Sequence, residues 1–112
     1  TMKYNVKITV VKREYYQDLA DRFLVNPQTG KCSIFQDGQE FLVTPENYNR
    51  FPYEHHFCQG AWDVIKIKVY AALQGGTFYW EGWIRDRNEQ ILCCDDGVRP
   101  VVFLLERIPV EV

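Results

Sequence analysis

A chain of 112 residues is long enough for one hydrophobic core and too short for two ordinary domains, so one domain over residues 1–112 is expected. With 46% apolar and 15% aromatic residues its composition is that of a folded protein, which excludes disordered and fibrous classes. A net charge of -2 lacks the clustered Lys and Arg excess that nucleic-acid binding requires, so no nucleic-acid partner is expected.

The opening "TMKYNVKITVVKREYYQ" interrupts its apolar residues with charges and so lacks a signal-peptide core. No segment reaches the roughly 18 to 20 apolar residues of a membrane helix. A cytoplasmic protein with no membrane partner is the expectation, with Met2 as its native start. From Lys3 to Lys12, Tyr4, Val6, Ile8 and Val10 alternate with Asn5, Lys7 and Thr9, the period-two pattern of a half-buried strand. In "EYYQDLADRFL", Tyr16, Leu19, Ala20 and Phe23 recur at helical spacing opposite Asp18, Asp21 and Arg22. That predicts a short amphipathic helix ended by Asn26-Pro27, with turn chemistry from there to Cys32.

Glu40 to Val43 predicts a brief strand. Residues 44–57 hold two prolines and no clean periodicity, which predicts a loop. Ala61 to Gln74 carries the strongest helical pattern, an apolar stripe of Trp62, Ile65, Val69, Ala72 and Leu73. Gly60 is its predicted N-cap, Asp63 lies at N3, and Gly75-Gly76 stops it. Beyond it, "TFYWEGWI", "QILCC" and "RPVVFLLERI" predict three strands, joined by "RDRNE" and by "DDG". The expected class is α+β, a mostly antiparallel sheet of about five strands with two helices and a C-terminal three-stranded meander. Val101 to Leu105 is apolar on both faces and is expected at the sheet centre, with Pro100 tolerated at its start.

Chemistry is narrowed by what is missing. There is no Gly-x-Ser-x-Gly elbow, phosphate-binding glycine loop, His-Glu-x-x-His or Pro-Cys-x-x-Cys motif. What remains is Cys32, Cys58, Cys93 and Cys94, and the pair His55 and His56. A cytoplasmic chain keeps thiols reduced, so these are not a structural disulfide framework, and the Cys-x-x-Cys spacing of zinc ribbons is absent. With Gly60 as the cap, Cys58 lies two residues outside the helix, where the dipole's pull on a thiolate is fading. Neighbouring strand residues point to opposite faces, so Cys93 and Cys94 should not both reach one ion. A tight hairpin on Asp96-Gly97 would set Cys94 opposite Arg99 and Cys93 opposite Pro100, making Cys94 the reactive candidate and Cys93 the packed one.

Blander roles stand beside these. Free cysteine packs as a small hydrophobe, a histidine pair in a polar loop is ordinarily solvated, and Asp95 and Asp96 are common turn residues before glycine. Trp62 is expected in the core, whereas Trp80 and Trp83 would cap the core, line a pocket or close a dimer.

The segments "GKCSIFQDGQEFLV", "FCQGAWDVIKIKVYAALQGGTFYW" and "CCDDGVRPVVFLLERI", after the opening "MKYNVKITVVKR", resemble a family of short uncharacterised prokaryotic proteins of about this length. The resemblance implies that Cys32, Cys58, Cys93, Cys94, Gly97, Arg99 and Pro100 stand at motif positions, and it names no activity. The loop before Phe57, with His55 and His56, is longer here than in that family.

The leading expectation is a site in which Cys32, Cys58 and one of Cys93 or Cys94 converge, supported by His55, His56 and Arg99. It would bind a metal, as zinc or an iron-sulfur cluster, or exchange thiol and disulfide. The rival expectation is an interaction module, a homodimer through sheet aromatics, with cysteines that only pack. A third is a small enzyme with Cys94 as nucleophile and Arg99 as its activator.

Overall fold

The alternation of Val6, Ile8 and Val10 with polar neighbours forms β1, Met2–Arg13, in a computed structural model that describes residues 2–111. These three side chains are fully buried while Lys7 and Thr9 face outward, so the sequence period becomes a two-faced strand. β1 pairs antiparallel with β2, Glu40–Val43, on one side and with β4, Val101–Glu111, on the other. β3, Glu89–Cys93, pairs antiparallel with β4, giving a sheet ordered β2-β1-β4-β3. β4 therefore has the internal position expected for its doubly apolar run.

The register of β1 against β4 shifts between Val10 and Lys12. Because of this bulge Arg13, and not Lys12, lies opposite the buried Val101, so Arg13 turns toward the core face. There its Nη1 donates 2.7 Å to the carbonyl of Cys32 and its Nε pairs with Asp37 at 2.9 Å.

Among the described residues three α-helices complete the α+β fold: α1 (Gln17–Phe23), α2 (Phe51–Glu54) and α3 (Gln59–Leu73). α3 buries Trp62, Ile65, Val69, Ala72 and Leu73, the stripe its spacing predicts, together with Ala61, over β1, β3 and β4. It starts at Gln59 with Cys58 as N-cap, so the expected cap at Gly60 is two residues late and Asp63 is not at N3. In α1 only Ala20 is buried, and Phe23 lies outside with Arg22 over its ring. Residues 44–57 are not a plain loop, since a 3-10 turn at Tyr48–Arg50 runs into α2. Pro52 sits in the first turn of α2, where its missing N–H is not needed. The helix closes with Phe57 N–H donating 2.9 Å to Pro52 carbonyl across His56, whose φ of 51° is left-handed, the geometry usually given to glycine.

That closure drives Phe57 into the core, where its ring meets Phe35 at 4.9 Å, Phe41 at 5.1 Å, Phe51 at 5.4 Å, Phe103 at 5.5 Å and Trp62 at 6.0 Å. Such edge and tilted pairs add to the area each ring buries. Phe57 thus fixes the position of its neighbour Cys58.

The strand expected at "TFYWEGWI" does not form, so among the described residues the sheet has four strands and the C-terminal part is a two-stranded hairpin, not a meander. Gly82 takes φ 80° and Trp83 N–H bonds back to Trp80 carbonyl at 3.0 Å, a turn that extended backbone cannot make. Phe78 alone of this segment is fully buried, and Gln90 of β3 holds it by donating Nε2 to the Phe78 carbonyl at 3.2 Å. The same buried amide accepts the Ile91 N–H through Oε1 at 2.9 Å. Among the described residues no helix is long and apolar enough to cross a membrane.

Candidate functional site

Three cysteines from distant parts of the chain line one cleft of about 90 Å³. Cys32, Cys58 and Cys94 share it with Phe35 and Val101 on the apolar side and Asp95, Asp96 and Arg99 on the polar side. Its size admits a few waters or one small group such as a sulfur-bearing tip. Cys93 does not line it.

Each thiol arrives for a separate reason. Cys32 is 7% exposed, in an irregular segment pinned to β1 by Arg13. Cys58 is placed by Phe57 and caps α3, its carbonyl accepting the Trp62 N–H at 2.9 Å. The positive end of a helix favours negative charge. The Asp95 carboxylate lies beside Gly60 in the first turn, so close that a β-carbon there would crowd its oxygens at 3.1 and 3.2 Å. That approach sets the β3–β4 connection beside the start of α3, where Cys94 and Cys58 line the same cleft.

Cys94 follows the inward parity of Gln90 and Leu92, and Cys93 follows the outward parity of Ile91. The two thiols do separate by face, as the pleat requires. The assignment is reversed for Cys93, which is exposed and lies opposite Val102 and not Pro100. Cys94 lies opposite Val101, donating its N–H to the Val101 carbonyl at 3.0 Å and accepting the Val101 N–H on Sγ at 3.3 Å. The expected tight turn is replaced by a connection from Cys94 to Pro100. Asp96 organises it: Oδ1 accepts the N–H groups of Val98 at 2.8 Å and Arg99 at 3.0 Å, while Oδ2 lies 3.5 Å from Arg99 Nε. Those backbone donors, with the Arg99 charge, hold the Asp96 carboxyl below the usual carboxylate range. Backbone bonds from Glu14 to Pro100 and from Tyr16 to Val98 tether the connection to the end of β1.

Arg99 therefore stands at the cleft, although not directly across the strand from Cys94. His55 and His56 do not line it. Both are exposed, the His55 ring packs on Phe51 at 4.7 Å, and His56 serves as the left-handed residue closing α2. Zinc and iron-sulfur chemistry do not fit this arrangement, because among the described residues no group of three or more His, Cys, Asp or Glu side chains is placed to hold a metal ion. The residues that sequence reasoning missed are Gly60 and Asp95. Their signal was a glycine in the first turn of an otherwise strong helix, which costs stability unless something must come close.

Comparison with known proteins gives no match to a family model, a curated protein or a solved structure.

Proposed function

We propose that this chain is a thiol-exchange protein in which Cys94 and Cys58 pass between dithiol and disulfide, with Cys32 as the buried third thiol. The observation that carries this reading is the convergence of Cys32, Cys58 and Cys94 on one small cleft beside the guanidinium of Arg99. Exchange needs a thiol that a disulfide can approach, a donor or cation that stabilises its sulfur as charge develops, and a second thiol to resolve the mixed disulfide. Cys94 is half-buried and has the Val101 N–H on its sulfur, which suits the attacking role. Cys58 at the helix start suits the resolving one.

The test is equilibration of the full chain, carrying Cys93→Ser to remove the exposed thiol, in graded mixtures of a small thiol and its disulfide, followed by peptide mass mapping. One internal disulfide among Cys32, Cys58 and Cys94 is expected at the oxidising end. Three thiols that stay reduced throughout and react only after denaturation would falsify the proposal.

A second reading, a homodimer formed by aromatic residues, is favoured by Trp80 and Trp83, 77% and 78% exposed on one turn. They border a groove of about 600 Å³ with Lys68 of α3 and Ile91 of β3. Sedimentation of the parent and of Trp80→Ala/Trp83→Ala decides it: a dimer lost in the variant supports this reading, and a monomeric parent removes it.

A further inference from the structure

A second cavity adjoins the thiol cleft. It measures about 340 Å³, within the range of small-ligand sites, and is lined by Leu24, Val25 and Val98, by Asn26 and Thr29, and by Asp96 and Arg99. Asp96 and Arg99 line both cavities, so these two side chains stand between the larger space and the thiols. Among the described residues, Arg99 is the only cation lining either space. One of its five donors faces Asp96 at a loose 3.5 Å, which leaves the fork free for a further partner. Of the two carboxylates nearby, Asp96 accepts two backbone N–H groups, and Asp95 is exposed and lies beside Gly60 at the start of α3, outside the lining of the larger cavity.

Resting on the thiol-exchange reading, we infer that the substrate is a small disulfide bearing a carboxylate, its anionic end held by Arg99 in the larger cavity and its sulfurs directed at Cys94. The apolar body of such a molecule covers Leu24, Val25 and Val98, and the carboxylate takes the bidentate geometry that guanidinium offers. Cys94, as thiolate, attacks one ligand sulfur; the ligand S–S bond breaks, a mixed disulfide forms, and the first half leaves as a thiol with the proton Cys94 released. Cys58 then attacks Cys94 Sγ, expelling the second half, which takes the Cys58 proton. The ligand disulfide gains two electrons and two protons, and the protein dithiol loses them as it becomes the Cys58–Cys94 disulfide.

The experiment compares three disulfides on the reduced full chain carrying Cys93→Ser: dithiobis(nitrobenzoate), which is anionic, hydroxyethyl disulfide, which is neutral, and cystamine, which is cationic. Rates at Cys94, followed by mass mapping, are each divided by the rate of the same reagent with a free model thiol. The normalised anionic rate should exceed the cationic by roughly tenfold or more at low salt, and the gap should shrink in high salt. Arg99→Gln should bring the three within about threefold of one another, while Arg99→Lys should keep the order. Equal normalised rates in the parent, or a preference unchanged in Arg99→Gln and in salt, overturn the substrate class and leave the exchange reading standing. Absence of Cys94 modification and of any internal disulfide with all three reagents overturns the exchange reading itself.

Discussion

The Asp95 carboxylate rests on Gly60: a β-carbon built at that glycine would lie 3.1 Å from Oδ1 and 3.2 Å from Oδ2. An open helix position gains about 1 kcal/mol when glycine becomes alanine. Here the methyl group must displace the carboxylate, so Gly60→Ala should stabilise the parent by clearly less than it stabilises an Asp95→Ala background. Denaturant melts of the four proteins in this cycle measure the coupling. An identical gain in both backgrounds would show that the two residues do not meet.

Asp96 makes stability depend on acid in a stated direction. Its carboxyl is depressed in the folded chain by the Arg99 and Val98 N–H groups, so the ionised form is the one the fold prefers. That contribution is fully present above the unfolded value of about 4 and is lost as pH falls through the lower folded value. Asp96→Asn keeps an oxygen acceptor but no charge, so the parent should exceed the variant in stability at pH 6, with the difference fading below about pH 4. Because the side chain is substantially exposed, the difference at pH 6 should stay under about 1 kcal/mol. A gap that grows toward acid contradicts the assignment.

His56 closes α2 at φ 51°, where a β-carbon is strained. His56→Gly should therefore raise stability by about 1 kcal/mol, and His56→Val should lower it. Thermal melts at matched concentration provide the check, and a destabilising glycine would point to a role for the imidazole that its exposure does not suggest.

Phe57 touches five aromatic rings and adjoins Cys58. Phe57→Ala should cost about 3 to 5 kcal/mol, with Phe57→Leu costing distinctly less. In Phe57→Leu, where folding survives, Cys58 should become more accessible to a neutral alkylating agent than in the parent. Unchanged labelling would separate the cysteine's position from the aromatic cluster.

Much of the fold is legible residue by residue. Val6, Ile8 and Val10 announce β1, Trp62 to Leu73 announce α3, and the doubled thiol announces that only one of Cys93 and Cys94 faces inward. What escapes is decided by side chains acting on distant or unusual backbone. The connection after β3 is longer than a two-residue turn because Asp96 Oδ1 gathers the Val98 and Arg99 N–H groups, a bond that residue types alone do not announce. Aromatic density makes residues 77–84 read as a strand, but Gly82 bends them. Pro52 reads as a breaker although it stands in the first turn of α2. The start of α3 is placed late because Gly60 resembles a cap, although it stands inside the first turn beside Asp95.

The double hydrogen bond of Gln90 has a consequence for the edge of the sheet. Cys94 bonds to Val101 and Asn88 to Arg107, so even-numbered residues of β3 direct their backbone at β4 and Ile91 directs its N–H at the open rim of the sheet. That donor is already taken by Gln90 Oε1, and Gln90 Nε2 anchors the Phe78 segment alongside. A foreign strand approaching this rim finds the ladder interrupted at its middle rung, a common guard against runaway sheet growth. Removing the amide, as in Gln90→Leu, would leave the Ile91 N–H without its side-chain acceptor and take away the guard at that rung.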